Sequence, residues 1–288
     1  MKKKNIFVIF GIIGIIVGIT IAYFFMYGQA KDKETLVELE DYPSLFRILI
    51  TQENYQKYLN GEEPASARVL PKEENLELYN QVRDSVIIQN TVVVFPLFTA
   101  AAYDKPGFYD YFRGECDDSC LTVELKNRDD VRHRYNTSGL GMQVLNILGY
   151  KFITDLEIHK NPQVLKEFDR VILLHSEYVT REEFDAITQH PNVLYLYPNA
   201  LYAEVEYDEK SNTIKLIRGH NYPEPEIRNG FDWEFDNTSQ HEYDMDCNDW
   251  EFYKIDNGYM LDCYPEIRIL NDFEMLKTIK YIDFLEEK

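Results

Sequence analysis

The sequence predicts an α/β domain with a mainly parallel sheet flanked by helices, preceded by a membrane anchor and followed by an acidic, aromatic elaboration. Two observations carry the sheet. The runs Val92 to Phe95, Val171 to Leu174 and Val193 to Leu196 are short, rich in β-branched or aromatic residues and bounded by turn formers, as strands buried on both faces are. Capped helical segments lie between them, so right-handed crossovers make the sheet mainly parallel. A third observation, the distribution of charge, separates the two ends of the chain from this centre. Thirty Lys and Arg stand against fifty Asp and Glu in 288 residues, a net charge of −20. That balance excludes binding nucleic acid through its phosphates, which needs a basic surface. The 45% hydrophobic content excludes a wholly disordered chain.

The first segment, 1–30, reads as a cytoplasmic tip and transmembrane anchor. No charged residue occurs from Asn5 to Ala30, and Ile6 to Tyr27 is long enough to cross a hydrocarbon core of about 30 Å as a helix. A cleaved signal has an apolar stretch of roughly 7–15 residues, so Gly28-Gln29-Ala30 is the weaker reading, a cleavage site. Lys2, Lys3 and Lys4 precede the span and keep the N-terminus cytoplasmic, which places the rest of the chain outside the cell. Gly14 and Gly18 have the spacing of a helix-packing motif, by which two copies would pair as a homodimer.

Four cysteines suit an oxidising compartment. Of the three possible connectivities, the sequence-local one, Cys116 with Cys120 and Cys247 with Cys263, is favoured because each pair brackets a short turn-rich segment. A four-cysteine zinc site competes, but the spacing lacks a CxxC. Asn136-Thr137-Ser138 and Asn237-Thr238-Ser239 are acceptor tripeptides for glycosylation, which fit the same topology.

Residues 31–83 read as a stalk: polar, with one apolar patch from Leu45 to Ile50 interrupted by Arg47 and a break from Gly61 to Pro71. Residues 84–219 form the α/β domain. After its first strand, Gly141 to Leu148 is an amphipathic segment stopped by Gly149. Asn161-Pro162 opens a helix to about Phe168, and Thr180 to Glu183 is a capping box opening another to about Gln189. Val205 to Arg218 is a hairpin around a polar loop.

In 220–288 the composition shifts. Thirteen acids against Arg228 and Lys254 fall between Glu224 and Glu266, with both tryptophans, Trp233 and Trp250. This is a separate module or a long elaboration of the first domain, ended by a docking helix over about 273–286. Asp244, Asp246 and Asn248 alternate oxygen ligands as a calcium loop does, but Asp249 and Ile255 stand where an EF-hand needs glycine and glutamate. The open readings are a looser calcium site, a solvated acidic loop, or an aromatic face for a sugar ring.

Open parallel sheets bind ligands outside the carboxyl ends of their strands. The residues there are Phe98, Thr99 and Tyr103, then His175, Ser176, Glu177 and Tyr178, then Asn199 and Tyr202. Phenolate, carboxylate and imidazole suit a hard or borderline metal that polarises a carbonyl and activates water. The structural alternative is that Glu177 favours a helix N-terminus and His175 is a satisfied core histidine. No cysteine nucleophile follows any of the strands, and no G-x-S-x-G elbow occurs.

The stretches 98–103 (FTAAAY), 175–180 (HSEYVT) and 195–202 (YLYPNALY) resemble successive motifs of the N,N-dimethylformamidase large-subunit-like domain, a relative of the class I glutamine amidotransferase-like fold. The region from about Thr91 to Glu266 is also similar to a group of archaeal membrane proteins. The resemblance implies a glutamine amidotransferase-like, flavodoxin-like sheet and hydrolysis of amide or related C–N bonds at a mononuclear iron held by tyrosines and a glutamate. It puts Thr99, His175, Glu177 and Asn199 on catalytic positions and Tyr103 and Tyr178 on metal-ligand positions. Val179 departs from the family's aromatic residue after the motif tyrosine, and no residue is assigned to its glutamate ligand. Two functions stand side by side: a membrane-anchored extracytoplasmic hydrolase using iron or another divalent metal, and a non-catalytic surface protein binding a glycan or cell-envelope protein through the acidic aromatic module.

Overall fold

A computed structural model describes residues 35–62, 65–84, 90–134, 138–235, 244, 247 and 250–281. The expected span Ile6 to Tyr27, with Gly14 and Gly18, lies outside these, as do Asn136, Asn237, Asp246 and Asn248. Among the described residues no helix is long and apolar enough to cross a membrane. The chain divides into Met1–Val37, of which only Thr35–Val37 are described, and Glu38–Lys288, whose fold follows.

The protein is α/β, with mixed sheets flanked by helices. Its chain order is β1 (Phe46–Thr51), α1 (Gln52–Leu59), β2 (Arg68–Pro71), α2 (Leu76–Arg83), β3 (Thr91–Phe95), α3 (Leu97–Ala102), α4 (Phe108–Phe112), β4 (Thr122–Glu124), α5 (Arg128–Val131) and α6 (Gly139–Ile147). It continues through β5 (Lys151–Thr154), α7 (Asp155–Lys160), β6 (Arg170–Leu173), β7 (Tyr178–Val179), α8 (Arg181–Thr188) and β8 (Val193–Tyr195). The hairpins β9 (Ala203–Asp208)–β10 (Thr213–Arg218) and β11 (Phe252–Ile255)–β12 (Gly258–Leu261) precede α9 (Arg268–Asn271) and α10 (Phe273–Tyr281).

The central sheet has six strands in the order β11-β12-β8-β6-β3-β5. Every pair from β12 to β5 is parallel, and only the edge strand β11 runs antiparallel. All three expected strands lie in its middle and are buried throughout. Their period-two alternation supplies two cores. Val93, Phe95, Ile172 and Leu194 face one, Val92, Val94, Val171 and Leu173 the other. β5 was not anticipated: its four residues KFIT are only partly buried, as an edge strand permits.

The segment expected to be a stalk differs from that expectation from Phe46 onward. β1 and β2 pair antiparallel, and Phe46, Ile48 and Ile50 enter the same core as Val93 and Phe95. Arg47, which seemed to interrupt an apolar patch, is the outward residue of this alternation and bonds Glu38. Part of 220–288 is likewise built into the main sheet, because β12 pairs parallel with β8. The register sets Gly258 opposite Val193, where a Cβ would run into the Val193 carbonyl oxygen. On α10, Leu276 and Ile279 are buried as the docking helix requires, and the helix is described to Tyr281.

A second sheet, β4-β10-β9-β7, lies at the carboxyl end of the first. It contains the expected hairpin, registered Val205 to Leu216 and Tyr207 to Ile214. Helix α6 ends as expected, with Gly149 at φ +89°. The Asn161-Pro162 segment is a 3-10 helix over Pro162–Glu167. At Thr180 only half of the expected capping box forms: its side chain accepts from Glu183 N, while the Glu183 carboxyl is buried instead of reaching back. The reciprocal box is at Thr154 and Glu157, ahead of α7. The cysteines pair as Cys116–Cys120 and Cys247–Cys263, with Cα separations of 6.1 and 5.2 Å.

Candidate functional site

Counted from β3, the five parallel strands stand in the order 2-1-3-4-5. The connections from β3 and β6 leave in opposite directions, which makes their carboxyl ends the switch point where open α/β sheets bind ligands. α3 follows β3 after one residue, Pro96, and Asp155 anchors its first turn by accepting Phe98 N–H at 2.7 Å. Thr99 is fully buried, and its hydroxyl accepts Tyr178 N–H at 3.1 Å. The residue singled out as catalytic therefore ties α3 to β7. Tyr103 caps the C-terminus of α3, and the next residue, Asp104, is held by Arg134 and by Lys126 at 2.9 Å.

Glu177, 2% exposed, is the centre of the arrangement. Tyr103 Oη donates to its Oε2 at 2.9 Å, and Tyr109 Oη lies 3.0 Å from its Oε1. The two phenol oxygens are themselves 3.0 Å apart. His175 Nε2 is 3.6 Å from Oε2, and His220 Nε2 is 3.9 Å from Oε1. Tyr103, Tyr109 and His220 are half-buried, so the carboxylate lies beneath a rim that solvent reaches. The Glu177 backbone is fixed independently: its carbonyl accepts from Tyr202 N and Ala203 N at 2.9 and 3.0 Å. Leu201 N donates to Ser176 O at 2.8 Å, so the connection after β8 docks on the one after β6.

Desolvation, then the nearby Glu177 charge, push the Tyr103 and Tyr109 hydroxyls well above the ordinary phenol range. Both phenols therefore carry their protons and donate to the carboxylate. Burial moves the His220 imidazole the other way, below its usual value. That ring stacks on Phe112 at 4.1 Å and 12°, and His220 sits at φ +55°.

The other expected residues take mixed places. His175 is held by its N–H to Ser138 Oγ at 2.8 Å, and its ring stacks on Tyr197 at 5.1 Å. Tyr178, singled out as a ligand, is fully buried, edge-on to Phe108 and stacked with His220. The phenol that joins Tyr103 on the carboxylate is Tyr109. Asn199 is buried within the connection after β8, its Oδ1 without a hydrogen-bond partner among the described residues. Tyr109 and His220 were missed by reasoning from strand ends, because they enter from α4 and from the segment after β10. One local signal existed for Tyr109: the aromatic run Phe108 to Phe112 starts at Gly107, where a Cβ would meet Asp104 O.

In the acidic module, Asp244 Oδ1 accepts Cys247 N–H at 3.4 Å, and Asp246 and Asn248 are not described. The two tryptophans belong to different clusters. Trp233 packs with Phe184 and Tyr195, while Trp250 lies against the opposite core and donates to Asp272 Oδ2 at 3.1 Å. They do not form one stacking platform. No three His, Cys, Asp or Glu side chains come together as a metal site among the described residues. No family model matches the chain, and no curated protein matches it.

Proposed function

We propose that Glu177, Tyr103 and Tyr109 form the metal-binding centre of a hydrolase acting on amide or related C–N bonds. The observation that carries this reading is the convergence of two phenol oxygens and one carboxylate, each about 3 Å from the others, at the switch point of the sheet. The three oxygens stand close enough together that they would share one hard cation once the phenol protons leave. Phenolate and carboxylate are hard donors, suited to iron in a higher oxidation state or to manganese. When bound, that ion would polarise a carbonyl and acidify a water.

The chain's own residues supply the rest. Glu177 provides the charge that attracts a cation, and the phenols, protonated in its absence, release protons as they ligate. His175 and His220 approach the carboxylate at 3.6 and 3.9 Å and would exchange a proton with the attacking water or the leaving amine. Thr99 and Ser138 position this machinery through the Tyr178 and His175 amides. The strand order also supports a glutamine amidotransferase-like, flavodoxin-like fold, and with it the resemblance that suggests an amide substrate. The reading includes an N-terminal anchor with the domain outside the cell, for which the two disulfides speak.

The test is metal analysis of the purified full chain, with absorption spectroscopy after loading ferric iron. Expected is near-stoichiometric metal and a visible phenolate charge-transfer band that is weakened or shifted in Tyr103→Phe and in Tyr109→Phe, lost in the double variant, and retained in Tyr178→Phe. A chain that binds no iron, manganese or zinc, or a band indifferent to both variants, overturns the proposal.

A further inference from the structure

Basic side chains from separate elements of this acidic chain share the lining of one cavity. A cavity of about 400 Å³ lies between β2, the α5 segment, α6 and the edge strand β5. Arg68, Arg128, Arg132 and His133 line it together with the apolar Met142 and Phe152. With fifty acids in the chain, chance would place carboxylates on these guanidinium groups. Yet among the described residues Arg68 and Arg128 have no carboxylate partner, and Arg132 has only Asp129, 3.4 Å away and 71% exposed.

The cavity wall is held rigidly. Gln143, buried on α6, donates through Nε2 to the carbonyls of Ala67, Arg132 and Gly139 at 3.1 to 3.2 Å. Its Oε1 accepts from Val69 N at 2.9 Å and meets His133 Nδ1 at 3.2 Å. One amide thus joins β2, α6 and the segment after α5, with every donor and acceptor used. On its far side His133 Nε2 accepts from Arg132 Nε at 3.2 Å, which fixes the guanidinium and makes Nδ1 the donor to Gln143. The imidazole stays neutral, since desolvation and the neighbouring Arg132 and Arg68 charges hold it below its usual range. Arg132 Nη1 faces only the exposed Asp129 carboxylate at 3.4 Å, which a ligand can displace.

We infer that this cavity binds a phosphate monoester with an apolar substituent, its phosphoryl group on Arg68, Arg128 and Arg132 and its stem against Met142 and Phe152. Three guanidinium groups match the charge and the fork geometry of a phosphoryl dianion better than a single carboxylate. Phe152, Met142 and the aliphatic part of β2 give the stem a surface that a free inorganic ion would not use. A soluble ester and a lipid headgroup share this chemistry.

The test is calorimetric titration of the full chain, in uncharged detergent, with phenyl phosphate and with dihexanoyl phosphatidic acid, using benzyl alcohol as the uncharged control. Expected is saturable binding of at least one phosphate, none of benzyl alcohol, and affinity weakened about tenfold or more by Arg68→Ala or Arg132→Ala. Arg47→Ala, on the exposed face of β1, should leave binding unchanged. Tighter binding of the phosphatidic acid assigns the site to a lipid headgroup, and the reverse order assigns it to a soluble ester. Both orders carry the inference. Failure of both phosphates to bind, or binding indifferent to both arginine substitutions, overturns it. Arg68 and Arg132 are exposed, and circular dichroism of the variants separates lost binding from lost fold.

Discussion

Tyr109 Oη donates to Glu177 Oε1 at 3.0 Å across 68 positions of sequence, bringing α4 onto the connection after β6. A carboxylate 2% exposed needs such donors, because removing one leaves a desolvated acceptor. Tyr109→Phe should therefore lower the stability of the metal-free protein by about 1–3 kcal/mol. Urea unfolding in the presence of a chelator measures this. A change below about 0.5 kcal/mol would mean that the bond contributes nothing net.

Asp155 on α7 and Glu183 on α8 form a buried acidic pair. Burial pushes Asp155 up to about 7, and burial with the Asp155 charge pushes Glu183 well above the carboxylate range. The folded state then holds more protons than the unfolded state above about pH 4, so this pair's contribution to stability falls as pH rises toward and through 7. His133 and His220, shifted downward, tilt stability the other way below about pH 6.5. The difference between wild type and Glu183→Met removes that histidine part. The variant should gain about 1–3 kcal/mol relative to wild type at pH 8 and less at pH 5, since neither Glu183 oxygen has a hydrogen-bond partner among the described residues. Denaturation curves at the two pH values decide it, and a variant less stable than wild type at pH 8 would refute the argument.

Gly258 is required by proximity and not by backbone angle. With Val193 O lying where its Cβ would stand, Gly258→Ala should pry β12 from β8 at a cost of about 1–3 kcal/mol or more. Hydrogen exchange at Tyr259 and Met260 should accelerate selectively. Unchanged protection at both amides would show that the sheet accommodates the methyl group.

The Cys247–Cys263 bridge spans 16 residues between two buried cysteines, whereas Cys116–Cys120 spans four. Loop-closure entropy assigns about 3 kcal/mol to the longer loop and less to the shorter. Cys247→Ser with Cys263→Ser should therefore reproduce most of the loss in thermal stability that reductant causes, and Cys116→Ser with Cys120→Ser little of it. Equal losses from the two pairs would contradict this ordering.

Local signals made the middle of the fold legible. The runs at Val92, Val171 and Val193 are strands because β-branched residues buried on both faces have no other stable arrangement in a sheet flanked by helices. Gly149, Pro162 and Thr180 marked helix ends through backbone freedom, a missing N–H and a side-chain acceptor. Arg47 misled because a single charge in a short apolar run also fits an alternating strand, and choosing between the two needs the partner strand β2. The β12 strand was hidden inside an acidic composition, and its place beside β8 depends on Gly258, whose small size signals nothing until its neighbour is known.

By itself the sequence determined the three central strands, several helix ends, the local pairing of the cysteines, and which residues stand at the carboxyl ends of β3, β6 and β8. Those are matters of period, propensity and short loops. Tertiary structure alone decided that Tyr109 and His220 join Tyr103, His175 and Glu177, and that Arg68 shares a cavity with Arg128 and Arg132. Such meetings depend on long-range packing of elements far apart in the chain, and the free energy that drives it comes from burying apolar surface that carries no trace of the polar groups it brings together.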